Sequence, residues 1–312
     1  TRVRSSAASD VYKRQEKLRG LFGKKIYEVD ASGRLLQEKQ MIPAVAGEDI
    51  FTSLDLSSQK VAYDELNNRR GAVVAVDIND GSIVTYVSSP SFSVNKIANG
   101  LTQNEFDELI NDDDKPFFDR AAQGRYSPAS TIKPAIGLFG IDKDILDWEY
   151  TIQDPGFFIL PEDGRIYRGW KKGGHGEINL KDAIIESSNT FFFSLAYQTE
   201  IEELRAHLSN FGFGKNVCDD CFMPDNGLLP SPRWKMNTHN FGWFKGDTVN
   251  VGVGQGYINA TPIQLAYYSA FLATKGNINK FSFVQDSKNA NKNIFNSQKI
   301  LQTLIGIIFM RA

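Results

Sequence analysis

The chain is organised around residues 125–134, which read Arg125-Tyr126-Ser127-Pro128-Ala129-Ser130-Thr131-Ile132-Lys133-Pro134. Turn-forming residues lead into this stretch and an apolar run follows it, so it predicts the start of a helix. One helical turn brings residues three apart onto one face, and the amine of Lys133 is therefore expected to reach the hydroxyl of Ser130. Pro134 fits the first helical turn, where backbone N–H groups have no partner within the helix.

Ser130 and Lys133 together have the properties of an activated nucleophile. A helix N-terminus stabilises negative charge that develops on the Ser130 oxygen, and an adjacent amine can accept the hydroxyl proton. A serine and a lysine at this spacing are also common on the exposed faces of ordinary helices. Further motifs in the chain are needed to decide whether Ser130 and Lys133 are catalytic or an ordinary exposed pair.

The composition narrows the function classes. The chain has 312 residues, enough for one large domain or two modest ones, and 35 basic against 37 acidic residues give a net charge of −2. This balance argues against nucleic acid as a partner. A hydrophobic content of 41% supports a substantial core. No apolar run approaches the roughly 20 residues that span a bilayer, and no signal peptide is visible.

Two β-hairpins are predicted in the first third of the chain. The first joins residues 25–30 to Leu35-Leu36 through a turn at Ser32-Gly33, and the second joins residues 71–77 to residues 82–88. The segments between the hairpins are predicted to be a linker, a short strand and a helix, at 43–48, 51–55 and 56–67.

Helices dominate the remainder of the chain. The clearest begins at Thr261, which suits the N-cap, with Pro262 at the first helical position and Gln264 completing a capping box. The other predicted helices are the Ser130 helix and residues 103–110, 180–186, 190–197 and 201–211. Hairpins followed by a block of helices predict an α+β domain in which an antiparallel sheet packs with helices.

Residues 187–189 are a second candidate for chemistry. Ser187 and Asn189 are two positions apart, so in an extended or turn conformation their side chains point the same way. A hydroxyl and an amide presented together can relay a proton and hold a polar substrate group. The alternative is helix capping, for which serine and asparagine are favoured.

Cys218 and Cys221 are the two cysteines of the chain. Their C-x-x-C spacing is compatible with a disulfide, a redox pair, half of a metal site or two free thiols. A structural zinc would need two further ligands at matching spacing, and no second C-x-x-C occurs. A disulfide or free thiols are therefore favoured over a metal or redox function.

The order of several motifs resembles the transpeptidase domain of class B penicillin-binding proteins, the family that contains the elongation-type penicillin-binding protein 2 enzymes. The resemblance covers roughly residues 16–280. It rests on the following phrases in sequence: Arg70-Gly71-Ala72-Val73-Val74-Ala75-Val76-Asp77, Ser130-Thr131-Ile132-Lys133, Asp154-Pro155-Gly156, Lys171-Lys172-Gly173-Gly174-His175-Gly176, Ser187-Ser188-Asn189, Gly252-Val253-Gly254-Gln255-Gly256-Tyr257 and Ala260-Thr261-Pro262-Ile263-Gln264.

This resemblance implies a peptidoglycan D,D-transpeptidase that is inhibited by β-lactams. It implies that Ser130 attacks the penultimate D-Ala carbonyl of a stem peptide, with Lys133 as general base. Ser187 would pass a proton to the departing D-alanine and Asn189 would position the substrate amide. The implied partners are stem peptides, β-lactams, elongation-complex proteins and the bacterial inner membrane, with the catalytic domain in the periplasm. The alternatives are a β-lactam-binding sensor or scaffold without turnover and a β-lactamase of the same fold.

The resemblance also divides the chain. Residues 1–15 show no apolar periodicity and are interpreted as a non-native leader, the alternative being a disordered native tail. Residues 16–50 would be a remnant of the pedestal domain and its linker, and residues 51–312 an incomplete transpeptidase domain that lacks the family's K-[S/T]-G motif and membrane anchor. Because that motif's strand supplies an oxyanion-hole donor, the fragment is expected to be weakly active or inactive.

No cofactor and no bound metal are predicted. Some members of the family hold a metal beside the active site with two Asp, a His and a Cys. Asp154 and His175 match two of these positions and remain weak metal-site candidates, whereas Gly169 and Ser188 occupy the other two. Residues 252–256 fit neither a dinucleotide fingerprint nor a P-loop, and they predict close backbone packing near the cleft.

Overall fold

The structure, a computed structural model, describes residues 18–284. The leader predicted at residues 1–15 and the tail from residue 285 onward lie outside the described residues. Within residues 18–284 no helix is both long and apolar enough to cross a membrane.

The first predicted hairpin is confirmed. Strand β1 (Lys24–Val29) pairs antiparallel with strand β2 (Leu35–Ile42), and the Asp30 carboxylate closes the turn by accepting the N–H groups of Ser32 and Arg34 at 2.8 and 2.9 Å. Strand β2 extends six residues beyond the predicted Leu36. Ion pairs cross the extended ribbon, where Lys25 and Lys39 bind Glu38 and Glu28.

The second predicted hairpin forms strands β3 (Gly71–Val76) and β4 (Ile83–Ser89). Helix α1 (Leu56–Leu66) packs on β4, where the buried side chain of Gln59 donates to the Tyr86 carbonyl at 2.6 Å and accepts the Tyr86 N–H at 2.8 Å. The prediction of a regular strand at 51–55 is wrong. Thr52 forms a single bridge with Val284, and Asp55 instead caps α1.

The predicted helices are confirmed to within about two residues at each end. The capping box of Thr261 and Gln264 is present at the start of the last helix. The helices from α2 onward are α2 (Val94–Ala98), α3 (Gln103–Asn111), α4 (Lys133–Asp142), α5 (Leu180–Ile185), α6 (Asn189–Tyr197), α7 (Ile201–Asn210), α8 (Pro232–His239), α9 (Lys245–Val251) and α10 (Pro262–Ala273).

Helices α2, α8 and α9 are not anticipated by the sequence pattern. The only buried residue of α8 is Lys235, whose amine forms an ion pair with Asp247 of α9 at 2.6 Å. Because its one buried side chain is charged, α8 has no apolar stripe that hydrophobic periodicity could reveal.

Four short strands between α4 and α5 are also absent from the prediction. Strand β5 (Thr151–Asp154) pairs with β8 (Gly176–Asn179), and β6 (Phe157–Ile159) pairs with β7 (Ile166–Arg168). Three or four residues are too few to show an alternating pattern. These strands bring Asp154 opposite Gly176, beside His175.

The core surrounds helices α4 and α6, which pack against each other. Their buried faces include aromatic side chains that are at most 1% exposed, Phe139, Phe191 and Phe192. Helix α10 adds Phe271, whose ring lies 4.9 Å from that of Phe211. Both helices begin at the same end of this core, so the residues that precede them meet there.

Candidate active site

Ser130 lies in a 3₁₀ turn (Ala129–Ile132) that leads directly into α4, and it is exposed. The Lys133 N–H donates to the Ser130 carbonyl. In such a turn the side chains of residues three apart lie almost above one another, so Ser130 and Lys133 share one face. The predicted helix start is confirmed, with Lys133 as the first α-helical residue and Pro134 in the first turn.

Two residues that the sequence does not single out hold the start of α4. The hydroxyl of Tyr268 accepts the N–H of Ala135 at 3.3 Å, and Nε2 of His207 donates to the Ala135 carbonyl at 2.9 Å. Burial lowers the pKa of His207, which keeps the ring neutral. A tyrosine and a histidine in amphipathic helices are ordinary core residues by pattern, and only the fold reveals these contacts.

The side chain of Lys133 is buried, with 1% exposed. Its Nζ donates to the carbonyl of Ser187 at 2.8 Å, to Oγ of Ser187 at 3.1 Å and to Oδ1 of Asn189 at 2.6 Å. Burial lowers the pKa of Lys133 from 10.5 to about 8. Near neutral pH the amine is therefore close enough to its pKa to exchange a proton with a neighbouring hydroxyl.

Ser187 and Asn189 approach one amine, as the sequence predicts for side chains two apart. The capping role falls on the residue between them, because Oγ of Ser188 accepts the N–H of Phe191 at 3.2 Å and caps α6. Ser187 has φ +52°. This left-handed conformation costs a non-glycine residue about 1–2 kcal/mol and is typical of functional sites.

The free energy of unfolding is expected to rise between about pH 8 and 10.5 through Lys133. The pKa of this residue is lower in the folded chain, about 8 against 10.5, so the unfolded chain binds more protons in that interval. The cost of burying the charge is complete below pH 8 and fades as pH rises. Urea unfolding measures the change. Between about pH 8 and about pH 9.5, the free energy of unfolding of the unaltered chain should increase by on the order of 1.5 kcal/mol more than that of Lys133→Met. Equal pH dependence in both proteins would contradict the burial of this amine.

The glycine-rich segment packs against the Ser130 turn, which confirms the predicted close backbone approach. The N–H of Ala129 donates to the Gly254 carbonyl at 2.9 Å. A Cβ on Gly254 would lie 2.2 Å from the Ala129 carbonyl oxygen. Ala129 has φ +50°, a left-handed conformation immediately before Ser130. The contact with Gly254 therefore stabilises a strained turn at the candidate nucleophile.

Gly254→Ala is expected to destabilise the fold by about 3 kcal/mol, because it adds a backbone clash to an unfavourable φ of +70°. Gly173→Ala is the matched control, since Gly173 has φ +86° and a Cβ there would meet nothing within 4 Å. That variant should lose only about 1 kcal/mol, the backbone cost alone. Urea unfolding of both variants measures the difference, and equal losses would show that the contact with Ala129 is unimportant.

Asp154 and His175, the weak metal-site candidates, lie in direct contact. Nδ1 of His175 is 2.7 Å from Oδ2 of Asp154, and Oγ of Ser188 donates to the same oxygen at 2.8 Å. Burial raises the pKa of Asp154, but the hydrogen bonds from His175, Gly156 and Ser188 outweigh it and bring that pKa below its ordinary value. The Asp154 carboxylate is therefore ionised and already bonded to protein groups.

These residues do not fit a metal ion. His175 does have a buried Nε2 without a partner among the described residues. The other positions offer the hydroxyl of Ser188 and the bare backbone of Gly169, however, and residues 18–284 contain no cluster of three His, Cys, Asp or Glu that could bind a metal. The group also differs from a catalytic triad, since Ser188 bonds the carboxylate rather than the imidazole.

Cys218 and Cys221 form a disulfide. This confirms one of the two favoured interpretations and removes the free thiols. Both residues are buried.

Comparisons with known proteins agree with this geometry. The sequence model of the penicillin binding protein transpeptidase domain matches residues 71–308. The peptidoglycan D,D-transpeptidase MrdA of Acinetobacter baumannii is 41% identical over 84% of this chain and 39% of its own length. The protein of the same name from Escherichia coli K12 is 36% identical over 84% of this chain and 41% of its own length.

Solved structures give the same result. The structure of Pseudomonas aeruginosa PBP2 in complex with WCK 5153 is similar with a TM-score of 0.79 at 34% identity, covering 86% of this chain and 60% of that one. The complex between PBP2 and MreC from Helicobacter pylori gives a TM-score of 0.85 at 29% identity, covering 95% of this chain and 54% of that one. The chain spans about two fifths of the length of the curated relatives it matches. The fold is therefore the α+β penicillin-binding transpeptidase fold, and the chain belongs to the penicillin-binding protein transpeptidase family.

Proposed function

We propose that the chain acts as a peptidoglycan D,D-transpeptidase with Ser130 as its nucleophile. The observation that carries the proposal is the buried Lys133 amine, which contacts Ser187 and Asn189 and lies one turn from the exposed Ser130. The hydrogen bonds of this amine go to Ser187 and Asn189, and a hydroxyl one turn away from an amine with a lowered pKa is suited to nucleophilic acyl transfer. The substrate class is a peptide that ends in D-Ala-D-Ala.

The first half of the reaction forms an ester on Ser130. Oγ of Ser130 attacks the carbonyl carbon of the penultimate D-Ala, and its proton passes to neutral Lys133 Nζ. Ser187 accepts a hydrogen bond from that amine at 3.1 Å, so it can relay the proton to the nitrogen of the departing D-alanine as the C–N bond breaks. The Asn189 amide, beside the same amine, holds the substrate peptide group.

The second half resolves the ester. The amine of a neighbouring stem peptide attacks the acyl carbon, the C–O bond to Ser130 breaks and Ser130 recovers its proton from the amine through Lys133. The product is a cross-link between two stems. A β-lactam carbonyl would meet the same nucleophile and leave a stable acyl group on Ser130.

We also propose partners and a location. A structure of PBP2 with MreC from Helicobacter pylori and one that concerns a peptidoglycan synthase complex are both similar to this chain. By analogy with these proteins, the chain would work with elongation-complex proteins at the periplasmic face of the bacterial inner membrane. Residues 16–50 would belong to the pedestal that connects the catalytic domain to its anchor.

Labelling with a fluorescent penicillin tests the proposal. The K-[S/T]-G triplet does not occur in the 312 residues, so slow acylation is expected and labelling is followed for hours. Mass spectrometry of a tryptic digest should place the acyl group on the peptide 126–143, since trypsin does not cleave the Lys133-Pro134 bond. Heat-denatured protein is the control. A label elsewhere, or none on the folded chain, would overturn the proposal, and rapid release of hydrolysed drug would favour the β-lactamase alternative.

A further inference from the structure

The Asp154 carboxylate lies directly behind the Ser187–Asn189 turn. Asp154 ends strand β5 and is 3% exposed. Its Oδ2 accepts the hydroxyl of Ser188 at 2.8 Å and contacts Nδ1 of His175 at 2.7 Å, and its Oδ1 accepts the N–H of Gly156 at 2.7 Å. An ionised carboxylate with three donors is held firmly in place, because charge-assisted hydrogen bonds are roughly twice as strong as neutral ones.

The loop that carries His175 is fixed to the same strand. A Cβ on Gly174 would lie 2.0 Å from the Asp154 carbonyl oxygen, and the N–H of His175 donates to that oxygen at 3.2 Å. The ring of Trp170 contacts His175 at 5.6 Å, and its indole N–H donates to the carbonyl of Glu186 at 3.0 Å. The loop therefore touches both Asp154 and the residue that precedes Ser187.

Ser188 connects this support to the site. Its side chain is fully buried, donating to Asp154 and accepting the N–H of Phe191. The residues on either side, Ser187 and Asn189, both bind the Lys133 amine. Because Ser187 is in a left-handed conformation, its position depends on neighbours that are themselves fixed.

We propose that Asp154 and Ser188 are positioning residues that hold Ser187 and Asn189 against Lys133, and that this support requires no metal ion. Neither residue touches the reacting atoms. The support acts through a bond between two side chains, so loss of either partner has the same consequence as loss of both. The kinetic part of the proposal rests on the proposed function, and the structural part does not.

Acylation rates test the kinetic part. Ser188→Ala and Asp154→Asn are each expected to slow labelling by a fluorescent penicillin about 10- to 100-fold while its final extent stays the same, since a small displacement of a catalytic group has effects of this size. The double variant should be no slower than the slower single. Ser231→Ala is the matched control, because Ser231 caps α8 through the N–H of Trp234. Wild-type rates in the two single variants would overturn the proposal.

A thermodynamic cycle tests the structural part without any activity. Lys133→Met changes the unfolding equilibrium constant by some factor. We expect that factor to differ by about threefold or more when Ser188→Ala is also present, and to be unchanged when Ser231→Ala is present instead. Additive effects of Ser188→Ala and Lys133→Met would overturn the proposal even if no labelling is detected. Washing with a chelator should alter neither measurement, and stoichiometric zinc retained after the wash would contradict the metal-free support.

Discussion

Ser130→Ala is expected to abolish covalent labelling by penicillin, with a loss of at least about 10⁴-fold in rate. Removing Oγ of Ser130 removes the proposed nucleophile, and we expect the hydroxyl of Ser187 beside Lys133 to relay protons rather than to replace it. Ser130 is exposed in the 3₁₀ turn that leads into α4, so the substitution should leave the free energy of unfolding almost unchanged. Gel fluorescence and intact-protein mass measure the result.

Ser127→Ala is the matched control for this experiment. Ser127 is an exposed serine three positions earlier in the same stretch, and a label that depended only on accessible hydroxyls would not distinguish the two. We expect Ser127→Ala to label at the rate of the unaltered chain. Equal labelling of Ser130→Ala and the unaltered chain would remove Ser130 from the nucleophile role.

The chemistry of the site is largely readable from the sequence. Ser130 and Lys133 are close in sequence, and a helical start places them on one face whatever the rest of the chain does. Ser187 and Asn189 follow the same rule for residues two apart. Spacing does not predict that Ser187 and Asn189 meet the Lys133 amine, since more than fifty residues separate Lys133 from Ser187. Only the order of the motifs indicates that these residues belong to one site.

The close packing of residues 252–256 is predictable from their glycines, but the backbone strain beside the site and the bonding of Asp154 are not, for physical reasons. The left-handed conformations of Ala129 and Ser187 have no signature in residue type, because such strain is imposed by packing against Gly254 and by the hydrogen bonds of Ser188. The sequence identifies Asp154 and His175 as metal-site candidates but does not indicate their contacts. Only the fold shows that the Asp154 carboxylate bonds the hydroxyl of Ser188.

Lys133→Met is expected to slow acylation by about 10²–10⁴-fold, the usual contribution of a positioned general base. Methionine is one atom shorter than lysine, so it keeps most of the apolar side chain and removes the amine. In the unaltered chain the rate should rise about tenfold from pH 7 to pH 9, because the pKa of Lys133 is about 8 and the neutral amine is the active form. That rise should disappear in the variant. Labelling reactions that are quenched at fixed times, at several pH values, measure both effects.

Lys143→Met separates the role of this amine from that of positive charge on α4. Lys143 follows the last residue of that helix and is exposed, and its amine forms a surface ion pair with Glu203 at 3.0 Å. Its loss should change neither the rate nor the pH profile. A pH profile that still rises through 8 in Lys133→Met would assign the titration to another group. Lys133 follows Ser130 by one turn and its amine bonds Ser187 and Asn189. Such a result would therefore mean that another group is the base for Ser130 and that the buried Lys133 amine has a different role.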